Sequence, residues 1–357
     1  SAMCRSTRRA SNARSIWTIE LTGQNAESLR AAMREGSKWQ FAIPPSLAYG
    51  AGIIGIGIAA PGEQTITRGI ASGAGMGVVT AVGRRLALVP LAVVGLLLAQ
   101  VASEGTLVHA LGGWDPGLGI ALRADALAVT LLLMSSLVAL AAGWYATGYF
   151  SDADRQSQFW PIWLLMLAAL HAMLLSADLF NIYVTLELLG LSAVALAALG
   201  GGRAAIEAAL RYLTVGLLGS LAFLAGVAVM YARYGTLDML ALAAMIEPEP
   251  ASWLALSLMT AGLLVKSALF PLHFWLPPAH ANAPAPVSAL LHAVAVVKAG
   301  AFGIIRVVYD VYGVEFAHEL GLLIALGIAA SFTIIYGSVR ALAQDNLKKR
   351  LAYSTVS

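Results

Sequence analysis

Long apolar stretches alternate with short polar joints from about Leu86 to the C-terminal end of the chain. A helix that crosses a bilayer needs about 20 mostly apolar residues, and only helices and closed barrels satisfy their backbone amides inside lipid. We therefore expect an all-α polytopic membrane protein. The pattern predicts about eight transmembrane helices, at residues 86–102, 124–147, 160–177, 179–200, 209–232, 252–270, 286–311 and 318–343, and residues 346–357 begin a further helix.

Residues 1–83 differ from this pattern, because they are mixed in character, Gly-rich and without a long apolar segment. A segment that buries little apolar surface does not offset the entropy lost on ordering. We expect a soluble, poorly ordered head over residues 1–83 and a transmembrane domain over residues 84–357.

The positions of Lys and Arg indicate the orientation of the spans, since cytoplasmic joints of membrane proteins are enriched in these residues. If Arg84 and Arg85 lie in the cytoplasm, the later cytoplasmic joints are mainly basic and the outer joints mainly acidic, with Arg123 and Arg233 as exceptions. Hydropathy and charge thus favour one layout, with eight full spans and the N-terminus inside. We expect a multi-pass protein of the cell inner (plasma) membrane.

Two prolines, Pro271 and Pro277, follow closely after Lys266. Because proline lacks an amide donor and clashes with the preceding turn, the helix that carries Lys266 should break near Pro271. A broken helix at membrane depth is tolerated only inside protein or beside a wet cavity. Transporters place their ion sites at such breaks.

Two lone charges lie inside apolar spans, Glu187 within 179–200 and Lys266 within 252–270. Each costs about 3 kcal/mol at the membrane centre if uncompensated, so each is expected to find the other. Burial disfavours the charged forms of such side chains and pairing favours them. A lysine whose carboxylate partner moves therefore has a switchable proton affinity. We interpret the pair as part of a proton relay; the alternative is a static ion pair that fixes helix packing.

His292 and Lys298 are further candidates for this relay and lie together on the next span. Their spacing puts them about 120° apart around the helix, so bridging water is needed for both to border one channel. Histidine titrates near neutral pH, although a lone intramembrane histidine also commonly bonds a backbone carbonyl. His273, near Pro271, lies either at the mouth of a half-channel or at the membrane interface.

Composition narrows the class of protein. Charged residues make up 11% of the chain and hydrophobic residues 59%, whereas soluble domains carry about 25% charged residues. The single cysteine, Cys4, excludes an internal disulfide and a thiolate-bound zinc or iron–sulfur site. Nucleotide-binding, haem-attachment and metal-ligand motifs are not found. We expect no cofactor, no metal and no nucleic-acid partner, but contact with lipid.

Four stretches, in this order, resemble motifs of the antiporter-like membrane subunits. They are SADLFNIYVTLE at 176–187, LVKSALFPLHFWLP at 264–277, VSALLH at 287–292 and KRLAYSTVS at 349–357. This family includes the proton-pumping membrane subunits of respiratory complex I, those of membrane-bound hydrogenases, and the large subunits of Mrp cation/proton antiporters. The likeness covers about residues 84–357.

The resemblance implies that Glu187 and Lys266 are partners and that His292 and Lys298 are relay groups on the following helix. It also implies a fold of two inverted five-helix repeats, of which this chain holds the first repeat without its first helix, and the beginning of the second. We therefore expect an incomplete inverted repeat that is truncated at its C-terminal end.

The function that the resemblance implies is proton translocation as one subunit of an NADH:quinone oxidoreductase-type or Mrp-type complex. Such a subunit has no catalytic centre of its own, and its partners are the other membrane subunits. Its transported ions are protons, with Na⁺ as a second candidate. The alternative is a stand-alone cation/proton antiporter.

The head has a likeness of its own. Residues 22–66 are similar to part of an FK506-binding-type prolyl isomerase, most clearly over residues 33–50. The first half of that domain is missing, and a half-domain cannot bury a full core. We expect a catalytically inert head; a membrane-tethered peptidyl-prolyl isomerase is a further alternative.

Overall fold

A computed structural model describes residues 75–113, 119–151, 153–291 and 296–357, and these residues are mainly helical. The first half contains α1 (Gly75–Glu104), a hairpin of β1 (Leu107–Ala110) and β2 (Ala121–Ala124), α2 (Ala126–Tyr149), α3 (Ala153–Leu174), α4 (Leu179–Ala198) and α5 (Gly202–Tyr234). The second half contains α6 (Met239–Met245), α7 (Pro250–Lys266), α8 (Leu276–Asn282), α9 (Ala285–Leu290), α10 (Val296–Ile305), a π-helix (Arg306–Tyr312), α11 (Val314–Glu319), α12 (Leu322–Leu342) and α13 (Leu347–Val356).

Five helices of the described residues are long and apolar enough to span a membrane: α2, the Arg155–Leu174 part of α3, α4, α5 and α12. Two shorter apolar helices are α7 and the Leu88–Glu104 part of α1. The predicted span 286–311 is divided among α9, α10 and the π-helix. The polytopic helical architecture is thus confirmed, whereas the predicted count of eight spans is not.

Aspartate side chains begin three of the helices. Asp125 accepts a hydrogen bond from the Ala128 amide at the start of α2. Asp178 and Asp238 do the same at the starts of α4 and α6, and a short antiparallel bridge joins these two residues. Such caps satisfy amides that have no partner within the first turn of a helix. The bridge between Asp178 and Asp238 places the starts of α4 and α6 side by side.

Glycines allow α5 and α7 to pack very closely. A Cβ on Gly262 of α7 would collide with the backbone oxygen of Gly219 on α5, and a Cβ on Gly226 would lie 2.6 Å from Met259. Small residues at crossing points let membrane helices approach until their backbones touch. The helix that carries Lys266 is therefore held against α5 along most of its length.

The predicted break near Pro271 is confirmed. Helix α7 ends at Lys266, and the Phe270–Pro271 peptide bond in the following turn is cis. The ring of a proline clashes with the carbonyl of the residue four positions earlier in a helix. For Pro271 this residue is Ser267, which is the C-cap of α7. Pro277 starts a helix instead of ending one. It lies in the first turn of α8, where the amide that proline lacks would have no partner within the helix.

Candidate functional site

Glu187 and Lys266 form an ion pair within the helix bundle. The Lys266 Nζ donates to the Glu187 Oε1 over 3.2 Å, which joins the middle of α4 to the last residue of α7. The lysine side chain is 7% exposed and the glutamate side chain 17%. The two lone charges found in the sequence are therefore brought together, 79 residues apart in the chain.

The Lys266 ammonium lies in a slot between two glycines. A Cβ on Gly190 of α4 would lie 3.4 Å from the Nζ, and one on Gly216 of α5 would lie 3.8 Å from it. A small cavity of about 10 Å³ borders the pair and is also lined by Tyr212. Lys266 thus has a small space beside it as well as a carboxylate.

Helix α10, which carries Lys298, packs directly on the break after Lys266. A Cβ on Gly300 would collide with the side chain of Ser267 and would lie 2.8 Å from its amide nitrogen. Lys298 is half-buried and lines a second small cavity of about 10 Å³ with Leu131, Leu170, Leu174 and Ala299. His292, the other predicted relay group on this segment, lies outside the described residues.

His273 lies in the turn between α7 and α8 and is 6% exposed. Its ring packs edge-on against Tyr336 of α12, with 4.7 Å between ring centroids, and stacks near Phe270. Its buried Nδ1 has no hydrogen-bond partner among the described residues. The histidine is therefore enclosed by aromatic rings beside the break, and its role in a half-channel stays a prediction.

A second ionic site, which sequence reasoning missed, lies where the hairpin meets α2 and the π-helix. Arg306 is 2% exposed and binds Asp125 through two nitrogens, at 2.6 and 2.8 Å. It also donates to Asp310 over 2.6 Å, and Arg123 contacts both aspartates at 3.1 and 3.3 Å. Arg306 lies inside the predicted span 286–311, so the rule that drew attention to Glu187 and Lys266 applied to it as well.

Metal binding has no support from side-chain clustering in the part of the chain that the structure describes. There, no group of three or more His, Cys, Asp or Glu residues is placed to hold a metal ion.

A family model described as "NADH:quinone oxidoreductase/Mrp antiporter, TM" matches residues 176–357, which are 182 of the 357 residues. This chain belongs to that family. The matched region contains the Glu187–Lys266 pair, the break and α10. The family resemblance inferred from the four motifs is confirmed. The prediction of a multi-pass protein of the plasma membrane is confirmed as well.

Similar proteins come from both branches of the family. NADH-quinone oxidoreductase subunit N of Desulforudis audaxviator is 42% identical over 69% of this chain and 49% of its own length. A Na(+)/H(+) antiporter subunit of Bacillus subtilis is 32% identical over 74% of this chain and 53% of its own length. The chain thus spans about half the length of these relatives.

Solved structures agree on the fold. A chain of the Mrp complex from Dietzia sp. has a TM-score of 0.75 and 24% identity, covering 88% of this chain and 57% of its own length. One from the membrane-bound sulfane sulfur reductase, an archaeal respiratory membrane complex, has a TM-score of 0.72 and 28% identity, over 87% of this chain and 62% of its own length. The isomerase likeness of residues 22–66 has no support from these comparisons, and those residues lie outside the described ones.

Proposed function

We propose that the chain is a proton-translocating membrane subunit of an NADH:quinone oxidoreductase-type or Mrp-type complex. The observation that carries the proposal is the Glu187–Lys266 contact of 3.2 Å at the end of a broken helix, beside a cavity. The complex I and Mrp subunits among its relatives support the same function. In this role the partners are the other membrane subunits of the complex.

The mechanism follows from the chemistry of the pair. A lysine in an apolar site keeps its proton while a carboxylate is close, and it releases the proton more easily when the carboxylate moves away or becomes protonated. The pair is therefore a proton store whose affinity depends on one distance. The cavity beside it is large enough for about one water molecule, and a bridging water extends proton transfer beyond the direct contact.

Lys298 is the proposed next proton-relay group after Lys266. Helix α10 touches the break through Gly300 and Ser267, so a change in the turn after Lys266 is transmitted to the helix of Lys298. We propose His292 as a further relay group and His273 as a residue at the mouth of a half-channel. We also propose that residues 84–357 form the transmembrane domain and residues 1–83 a head, with α1 (Gly75–Glu104) continuing from one into the other.

The test is proton flux into vesicles that contain the whole complex with the chain present in its full-length form. Glu187→Gln and Lys266→Ala are each expected to abolish flux, because each removes one of the two groups that exchange the proton. Glu207→Gln is the matched control, since Glu207 pairs with Arg203 on the exposed surface of α5. Unchanged flux in either site variant would contradict the relay for that residue.

The alternative of a stand-alone cation/proton antiporter is favoured by the antiporter subunits among the relatives. It predicts Na⁺-dependent proton flux from the isolated assembly with no electron donor. The redox-linked function instead predicts that flavin or iron–sulfur subunits co-purify with the chain and that flux requires their substrate. One purification followed by both assays separates the two.

A further inference from the structure

Tyr212 is a buried aromatic residue of α5 that faces the break between α7 and α8. It is 2% exposed, and its ring stacks on Trp275 with 4.6 Å between centroids and 10° between planes. Trp275 immediately precedes α8 and is 1% exposed. The stacked rings of Tyr212 and Trp275 thus fill the space between α5 and the break.

Trp275 connects this stack to the residue before Lys266. Its indole Nε1 donates to the Val265 carbonyl oxygen over 3.2 Å. In a continuous helix that carbonyl would bind the amide of Leu269, but after the break the Leu269 amide donates to Leu264 instead. The Val265 carbonyl also accepts a hydrogen bond from the Ala268 amide over 3.2 Å, so the indole is a second donor that ties Trp275 to the last turn of α7.

Tyr212 also lines the cavity that contains Glu187 and Lys266. Gly216, one turn later on α5, lies beside both the Tyr212 ring and the Lys266 ammonium. The same face of α5 therefore supports the end of α7 through Trp275 and forms the wall against which the ammonium lies. A displaced Tyr212 ring would alter both contacts together.

We propose that Tyr212 is a positioning residue for the Glu187–Lys266 pair. Its ring holds Trp275, Trp275 holds the Val265 carbonyl, and this carbonyl fixes the end of α7, from which the lysine reaches the carboxylate. The stack acts through its aromatic face, so the ring is required and the hydroxyl group is not. The consequence for transport rests on the proposed function, whereas the effect on the pair does not.

The experiment follows the protonation of Glu187 in the purified full-length chain by infrared difference spectroscopy across a pH series. The carboxylic-acid band is assigned by its loss in Glu187→Gln. Tyr212→Phe keeps the ring and should titrate as the wild type does. Tyr212→Leu removes the stack, and Trp275→Phe removes only the indole donor. Both should move the midpoint away from the wild-type value, because the carboxylate loses its nearby ammonium.

Phe223→Leu is the matched control, since Phe223 is equally buried on α5 and packs on Gly262, away from the pair. It should lower the melting temperature without moving the midpoint. A shift in Tyr212→Phe as large as in Tyr212→Leu would overturn the proposal, because it would assign the effect to the hydroxyl. An unmoved midpoint in Tyr212→Leu, or an equal shift in Phe223→Leu, would also overturn it.

If Tyr212→Leu does not fold, Trp275→Phe decides the question, because it removes the hydrogen bond to Val265 and keeps an aromatic ring, although a smaller one, in the stack. A shifted midpoint then supports the proposal and an unshifted one overturns it. This measurement needs no transport. Failure of the proposed function appears as normal proton flux in Glu187→Gln, and failure of the positioning role appears as an unmoved titration.

Discussion

The two buried ionic sites of this chain differ in what their cations are able to do. At the hairpin end, Arg306 makes three hydrogen bonds to two aspartates, and Arg123 contacts both aspartates again. Between α4 and α7, Lys266 makes a single contact with Glu187 and has a cavity beside it. Arginine does not lose its proton inside a protein, whereas a buried lysine does so readily. The first site is suited to holding structure and the second to exchanging a proton.

The largest expected effect comes from removing the arginine of the structural site. Arg306→Ala leaves Asp125 and Asp310 with Arg123 as their remaining basic contact in the described network, and breaking a buried pair in this way costs about 3–5 kcal/mol. Thermal unfolding in detergent measures the loss. Arg203→Ala is the matched control, since its pair with Glu207 is exposed and such pairs contribute about 0–1 kcal/mol. Equal melting temperatures for the two variants would contradict the comparison.

A charge-conserving change tests the proton site from the opposite direction. Lys266→Arg keeps a cation beside Glu187 but removes its ability to release a proton. Since positioned proton transfer contributes at least about a hundredfold to a rate, proton flux should fall by about that factor. The chain should still fold and insert. Flux near the wild-type rate would show that proton release from residue 266 is not part of the mechanism.

The reciprocal change, Arg306→Lys, should lower the stability of the fold and leave proton flux nearly unchanged. A lysine keeps the charge but lacks the planar fork that binds Asp125 through two nitrogens. Losing such bonds costs about 1–3 kcal/mol, so the melting temperature should fall by less than in Arg306→Ala. Flux measured well below that temperature should stay near the wild-type value. A loss of flux without a loss of stability would place Arg306 in the proton path.

The smallest effect is expected at the surface pair of Arg233 and Glu249, which gives a reference for both buried sites. The hydrogen bond from Arg233 holds the pKa of the Glu249 carboxyl below its usual value. The pair therefore stabilises the fold above the unfolded-state pKa of about 4.3 and stops doing so as the pH falls through the lower folded-state value. The small difference in melting temperature between wild type and Glu249→Gln should be present at pH 7 and vanish in acid. A difference that grew in acid would contradict this sign.

Local sequence signals predicted the elements of the Glu187–Lys266 site well. Lone charges in apolar segments identified Glu187 and Lys266, because lipid makes such residues expensive wherever they occur. Pro271 located the break, because its effect on a helix acts within one turn. Both inferences need only neighbouring residues, and the structure confirms the pairing of the two charges and the break that follows Lys266.

Interactions between distant residues could not be predicted in the same way. Asp125 and Arg306 are 181 residues apart, and nothing in their spacing indicates that they meet. Tyr212 and Trp275 are aromatic residues among other apolar ones, so no pattern separates them from ordinary core residues. The predicted span 286–311 also did not reveal that its last turns form a π-helix.

The end of α7 at Lys266 has an electrostatic consequence. The peptide dipoles of a helix add up to about half a negative charge at its C-terminal end, and the ammonium is attached to the final residue of that helix. The dipole therefore acts as a second, permanent counter-charge that never takes up a proton. When Glu187 is protonated, Lys266 still has a negative end of the helix beside it. Because the helix ends within the bundle, the charged Lys266 costs less free energy in the state in which Glu187 is protonated and no longer balances its charge.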